Sequence, residues 1–119
     1  MRLVLAAATL LSLPLFATPA AAQRSGTYAV TGQGADGSRY EGTAQLQATG
    51  PATWRITWRI AGETTTGVGL VIGSMLVVGY VHGRETGAAG YEVMPDGRLS
   101  GRWTVGREGG VGNETLLPR

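Results

Sequence analysis

The sequence predicts an all-β protein: a small eight-stranded antiparallel up-and-down barrel, with a two-sheet sandwich as the alternative. Three observations carry that reading. Apolar residues fall at every second position in stretch after stretch. Turn-forming residues, mostly glycine, punctuate those stretches at short and nearly even intervals. Beyond an N-terminal leader, no segment shows the period of about 3.6 residues that marks an amphipathic helix.

The octet "TWRITWRI" (residues 53–60) shows the alternation most clearly. On a helix, Trp54 and Trp58 would share a face while Ile56 and Ile60 pointed almost the other way. On a strand all four share one face, and Arg55, Thr57 and Arg59 take the other. Period two accounts for every residue, so this is a half-buried strand. The same rhythm appears first in "SGTYAVTG" (25–32), which ends in a loop with Asp36-Gly37. In "RYEGTAQLQ" (39–47), Tyr40, Gly42, Ala44 and Leu46 point inward, and Arg39, Glu41, Thr43 and Gln45 outward. Gly50-Pro51 turns this strand into the octet, and Gly62 ends the octet.

"ETTTGVGLVI" (63–72), "MLVVGYVH" (75–82), "ETGAAGYEVM" (85–94), "RLSGRWTV" (98–105) and "VGNETLL" (111–117) complete the set. Gly73-Ser74, Gly83, Asp96-Gly97 and a loop around Gly109-Gly110 separate them. Asp96-Gly97 predicts a type I′ hairpin turn, whose two central residues both need positive φ. Strands joined this closely pair with their sequence neighbours, and closing the row leaves no exposed edge. Mid-strand Gly42, Gly67, Gly69, Gly79, Gly90 and Gly101 suit the bends of a tight barrel. "YAVTGQGADGSRYEG" (28–42) and "YEVMPDGRLSG" (91–101) share Tyr-x-Val, then Asp-Gly, then Gly. Each reads as strand, hairpin and strand, one local solution used twice.

The leader comes off before any fold argument. Arg2 precedes the apolar run Leu3 to Phe16, and "ATPAAAQ" places Ala20 and Ala22 in the small-residue positions of a cleavage site. Residues 1–22 therefore read as a secretory signal peptide cut before Gln23. The run is shorter than the ~20 apolar residues of a membrane span, so the mature chain is expected to be exported, to the periplasm or beyond. No cysteine follows the leader to carry a lipid. The remainder, 23–119, is one small domain, and at such sizes folding hides only about 60–65% of the unfolded chain's surface. Without cysteine no disulfide assists, although export would permit one. Strands that cross a membrane run to about 9–11 residues, which argues against a membrane barrel.

Charge and composition exclude several functions. The ten basic residues are all arginine, one of them Arg2 in the leader, against eight carboxylates. They form no run or stripe, so a nucleic-acid partner is not expected. "GQGADG" (32–37) matches the dinucleotide fingerprint in letters, but a strand follows it where a helix is required. His82, the only histidine, stands at a strand end and reads as a rim residue. Glu41, Glu63, Glu85, Glu92, Glu108 and Glu114 are scattered singly. The sequence predicts no catalytic residue, no metal site and no cofactor, and hence no enzyme.

Two binding sites remain as candidates. Inside the barrel, Trp54, Trp58, Trp103 and Tyr40 either plug the core or line a lumen that holds a small apolar ligand, since eight strands permit both. The smallness of the chain favours the plug. Outside, Arg55 and Arg59 lie on the solvent face of the octet with Glu41 nearby. They read first as cross-strand pairs, and alternatively as a surface for a protein partner, together with loops 33–38 and 106–110. The leading expectation is an exported binding module with a protein partner. A small-molecule carrier and a structural envelope protein are the alternatives.

"YAVTGQGADGSRYEGTAQL", "WRITWRIAGETTTGVGL", "YEVMPDGRLSGRW" and "GNETL" together resemble a group of small exported bacterial β proteins that carry fibronectin-binding or uncharacterised labels. The resemblance spans nearly the whole mature chain. It implies a fold, a bacterial origin and a matrix-protein-like partner, and it carries no site residue across. In outline the meander is also similar to avidin-like and lipocalin-like barrels and to periplasmic barrel protease inhibitors.

Overall fold

The computed structural model describes residues 24–119; the expected leader, 1–22, and Gln23 lie outside the described residues. Eight strands form one closed sheet: β1 (Gly26–Gln33), β2 (Arg39–Ala48), β3 (Thr53–Ile60), β4 (Glu63–Ile72), β5 (Met75–His82), β6 (Glu85–Val93), β7 (Leu99–Val105) and β8 (Gly112–Pro118). Each strand pairs antiparallel with its sequence neighbour, and β8 returns to pair with β1. The sheet is a closed barrel and not a two-sheet sandwich. Closure satisfies the ladder hydrogen bonds of every strand, which matters in a chain with little core to spare.

Alternation sets the faces. In β3, Trp54, Ile56 and Trp58 are buried, while Arg55 and Arg59 are exposed. The core consists of Tyr28, Val30, Leu46, Trp54, Ile56, Leu76, Val78, Val93, Leu99 and Leu116, with others adjoining it. These side chains fill the end of the barrel at which β1 begins and β8 finishes. The chain before β1 crosses that end: the Tyr28 hydroxyl donates to the Arg24 carbonyl at 2.7 Å and accepts from its N–H at 3.0 Å.

The turns differ from expectation at one place. At Asp96-Gly97 only Gly97 has positive φ, 88°. Pro95 fixes its own φ near −65°, which fits the first central position of a type I turn and leaves Gly97 as the left-handed bulge residue. Met94 N–H bonds to the Arg98 carbonyl at 2.8 Å, and Gly97 N–H to the Met94 carbonyl at 2.9 Å. Gly34 to Ser38 repeats the same pattern, at 2.7 and 2.9 Å. In both loops the aspartate carboxylate accepts from the N–H two residues on, at 3.0 Å. The two similar stretches therefore do share one turn, at opposite ends of the barrel. The turn with two positive φ values is Ala61-Gly62, at 54° and 79°.

Outside, β4 and β5 present Val68, Leu70, Ile72, Met75, Val77 and Val81 to solvent. Among the described residues no helix is long and apolar enough to cross a membrane.

Candidate functional site: an aromatic cavity at one end

The end of the barrel opposite the core is open. Its inward positions carry Tyr40 (β2), Trp58 (β3), Tyr80 (β5), Tyr91 (β6), Trp103 (β7) and Glu114 (β8), around a cavity of about 270 Å³. This is close to the lower bound of ~300 Å³ for small-molecule sites. Ile60, Ala61, Glu63, Thr65 and His82 form its mouth on the β3, β4 and β5 side.

The cavity exists because the large rings lie against the wall. Tyr40 pairs across the ladder with Gly32, Tyr80 with Gly87, Tyr91 with Gly101 and Trp103 with Gly112. A Cβ at any of these four glycines would overlap the ring of its partner. Each ring thus occupies the space above a missing side chain on the next strand, and the barrel axis stays clear. The rings then meet in two pairs. Tyr40 and Trp103 stand edge to face with centroids 6.3 Å apart, and Trp58 and Tyr80 are tilted at 5.5 Å.

Glu114 is the only buried charged residue among the described residues, 6% exposed. It lies on the inner wall one step before the core residue Leu116. Three donors hold it: Trp58 Nε1 at 2.9 Å and the Tyr91 hydroxyl at 2.5 Å reach Oε2, and the Tyr40 hydroxyl reaches Oε1 at 2.8 Å. Among the described residues no arginine or histidine pairs with it. A buried carboxylate is tolerable on these terms because charge-assisted hydrogen bonds replace the lost water. Its negative charge is felt by its neighbours. Burial first, and then Glu114, push the phenol of Tyr80 up to about 12 and those of Tyr40 and Tyr91 well above their ordinary value.

Two further contacts finish the site. Tyr80 donates its hydroxyl proton to the Thr104 carbonyl at 2.9 Å, which ties β5 to β7 across β6. His82 sits on the rim, 3.1 Å from the Thr65 hydroxyl through Nδ1 and 3.5 Å from Glu63 through Nε2. Among the described residues one buried side-chain polar atom has no hydrogen-bond partner, Trp103 Nε1.

The structure separates the sequence candidates. Trp58, Trp103 and Tyr40 line the cavity. Trp54 also points inward but belongs to the packed end, because it lies two alternations below Trp58 on β3, opposite Gly69 and Ala48. It lines no open lumen. Arg55, Arg59 and Glu41 are exposed on the outer wall of β2 and β3, with Arg59 opposite Thr43 and Arg55 opposite Gln47. Neither arginine forms an ion pair among the described residues, so the cross-strand pairing expected of them is made with neutral neighbours. Glu114, in sequence only one of several scattered carboxylates, stands at the centre of the site. Its signal was present: in "VGNETLL" it shares the period-two face of Gly112 and Leu116.

No family model matches the chain, and no curated protein matches it. Solved structures do. A redesigned β barrel matches with TM-score 0.66 at 18% identity, covering 80% of this chain and 90% of its own length. A second redesigned barrel, mFAP1, bound to DFHBI, gives 0.64 at 21%, covering 80% and 94%. A de novo designed fluorescence-activating β barrel gives 0.62 at 17%, covering 81% and 94%. At these identities the likeness shows the fold, a β barrel.

Proposed function

We propose that the protein is a small-molecule binder that takes its ligand into the open end of the barrel, and that it performs no chemistry on it. The observation that carries this reading is the aromatic cavity itself. Four rings are held against the wall by glycines cut to receive them, and the space left is apolar, concave and open at one end only. Filling it would bring apolar surface out of water at no cost in core packing. Glu114, with its three donors in place, is a structural and electrostatic group in this reading and not a general base. The similar barrel mFAP1, bound to DFHBI, supports the view that this fold accommodates a small molecule. The outer wall around Arg55 and Arg59 has no comparable feature in its favour, and the interior is preferred over a protein partner there.

The test is titration of the protein with an apolar fluorescent probe, followed by tryptophan emission, on the natural chain and on Ala89→Phe. Ala89 is buried and lines the cavity, so the larger side chain fills it. Saturable binding that Ala89→Phe abolishes, with the far-ultraviolet circular dichroism unchanged, is the expected result. Absence of binding, or binding indifferent to the plug, overturns the reading.

A further inference from the structure

We propose that the ligand is a small quaternary ammonium cation. This rests on the reading of the open end as a ligand site and names what that site selects. Four aromatic rings (Tyr40, Trp58, Tyr80 and Trp103) line the cavity, with the carboxylate of Glu114 in its wall, that of Glu63 at its mouth beside His82, and no arginine among the lining residues. Aromatic faces carry negative charge density and attract a cation placed against them. The field of Glu114, whose carboxylate lies within hydrogen-bond reach of Tyr40, Trp58 and Tyr91 in that wall, adds to theirs. Like-charge repulsion from the two carboxylates works against an anion in the same space.

The distribution of hydrogen bonds selects among cations. A primary ammonium gives up three hydrogen bonds to water and must recover them inside. Glu114 already accepts three donors, the Tyr80 hydroxyl is committed to Thr104, and the Thr65 hydroxyl to His82. Few acceptors remain. A quaternary ammonium has no N–H to satisfy, spreads its charge over methyl groups that fit an apolar wall, and gains from the rings. Glu63, exposed at the mouth, adds attraction during entry that salt screens.

The experiment compares choline with dimethylbutanol, in which carbon replaces the nitrogen and the shape is kept. Binding is read by tryptophan emission and calorimetry near neutral pH, on the natural chain and on Glu114→Gln, Trp103→Leu and Glu63→Gln. The expected result is choline binding at least about tenfold tighter than the neutral isostere. That preference should shrink in Glu114→Gln and Trp103→Leu, and by about two- to threefold in Glu63→Gln at low salt. Glu63 is on the surface, so its variant keeps the test alive if loss of the buried carboxylate unfolds the barrel. Equal or tighter binding of dimethylbutanol overturns the cation assignment and leaves the ligand site standing. If neither molecule binds while the apolar probe does, the assignment falls alone; if the probe also fails, both readings fall together.

Discussion

The two ends of this barrel are built from one sheet by one rule, yet one end is solid and the other hollow. At the packed end the inward positions carry Leu46, Ile56, Leu76, Val78, Leu99 and Leu116, each about 1% exposed or less. Branched aliphatic side chains project towards the axis and interdigitate, which is how a small barrel fills itself. The packed end also holds the rings of Tyr28 and Trp54; the open end carries more rings (Tyr40, Trp58, Tyr80, Tyr91 and Trp103), and still a cavity remains. The difference lies in the neighbours. Tyr40, Tyr80, Tyr91 and Trp103 each face a glycine on the adjoining strand and lie down over it. Total side-chain volume does not decide whether a barrel is filled; the direction in which the volume is laid does.

The largest effect that sharpens this comparison is truncation at each end. Leu99 is fully buried at the packed end, and Leu99→Ala is expected to cost about 3–4 kcal/mol, the lost transfer energy plus the cavity. Val105 lines the open end, where part of its surface already faces empty space. Val105→Ala is expected to cost less than ~1 kcal/mol, because few packing contacts are lost. Urea unfolding of the two variants decides the matter, and equal losses would sink the distinction between a filled and a hollow end.

Next come the glycines. A Cβ at Gly112 overlaps the Trp103 indole, whereas at Gly79, on the outer wall, it meets nothing within 4 Å. Gly112→Ala is expected to cost about 1–3 kcal/mol, and to move the indole into the cavity and abolish probe binding. Gly79→Ala is expected to be neutral or to stabilise by up to ~1 kcal/mol, since the chain loses freedom in its unfolded state only. If both alanines behave alike, the glycines do not shape the site.

These glycines also mark what the sequence makes legible. Period two alone yields the eight strands within a residue or so, the inward faces and the closed order, because each depends on a local pattern. The same alternation puts Glu114 inward, between Gly112 and Leu116. What it does not reveal is who sits across the ladder. Gly32, Gly87 and Gly112 are unremarkable as letters, and only the register places each under a ring. Trp54 and Trp58 look equivalent in "TWRITWRI", but one enters the packed end and the other the cavity, because the register of β3 sets how far along the axis each lies. The turn at Asp96-Gly97 departs from the type I′ expectation for a smaller reason: the preceding Pro95 selects a type I turn, which leaves only Gly97 with positive φ.

Alkaline pH gives a third contrast. The phenol of Tyr80 holds its proton up to about 12 in the folded barrel, through burial and then the charge of Glu114, and Tyr40 and Tyr91 are pushed up in the same way. In the unfolded chain the same phenols ionise near their ordinary value of about 10. Their folded values are raised, so their contribution is complete below about pH 10 and is lost as pH climbs towards 12. Phenolate absorbance followed alongside circular dichroism should therefore show these tyrosines ionising together with unfolding. Smooth ionisation of these three tyrosines near pH 10 in a barrel that stays folded would show that neither burial nor Glu114 holds their protons.

The smallest effect lies at the mouth. Ala61 is the one non-glycine residue with positive φ among the described residues, at 54°, in the two-residue turn it forms with Gly62. A side chain with a Cβ is disfavoured there by roughly 1–2 kcal/mol because the Cβ crowds the carbonyl oxygen. Ala61 also lines the cavity, so its methyl group is positioned to meet whatever enters. Ala61→Gly relieves the strain, and part of the gain is offset by the greater freedom of glycine in the unfolded chain. The net expectation is a stabilisation of about 0.5–1 kcal/mol, read as a small rise in melting temperature, together with a slight weakening of ligand binding. A gain in stability with no change in affinity would show that the turn is strained for reasons unconnected with the cavity, and a loss of stability would show that the methyl group packs against the mouth strongly enough to outweigh its backbone cost.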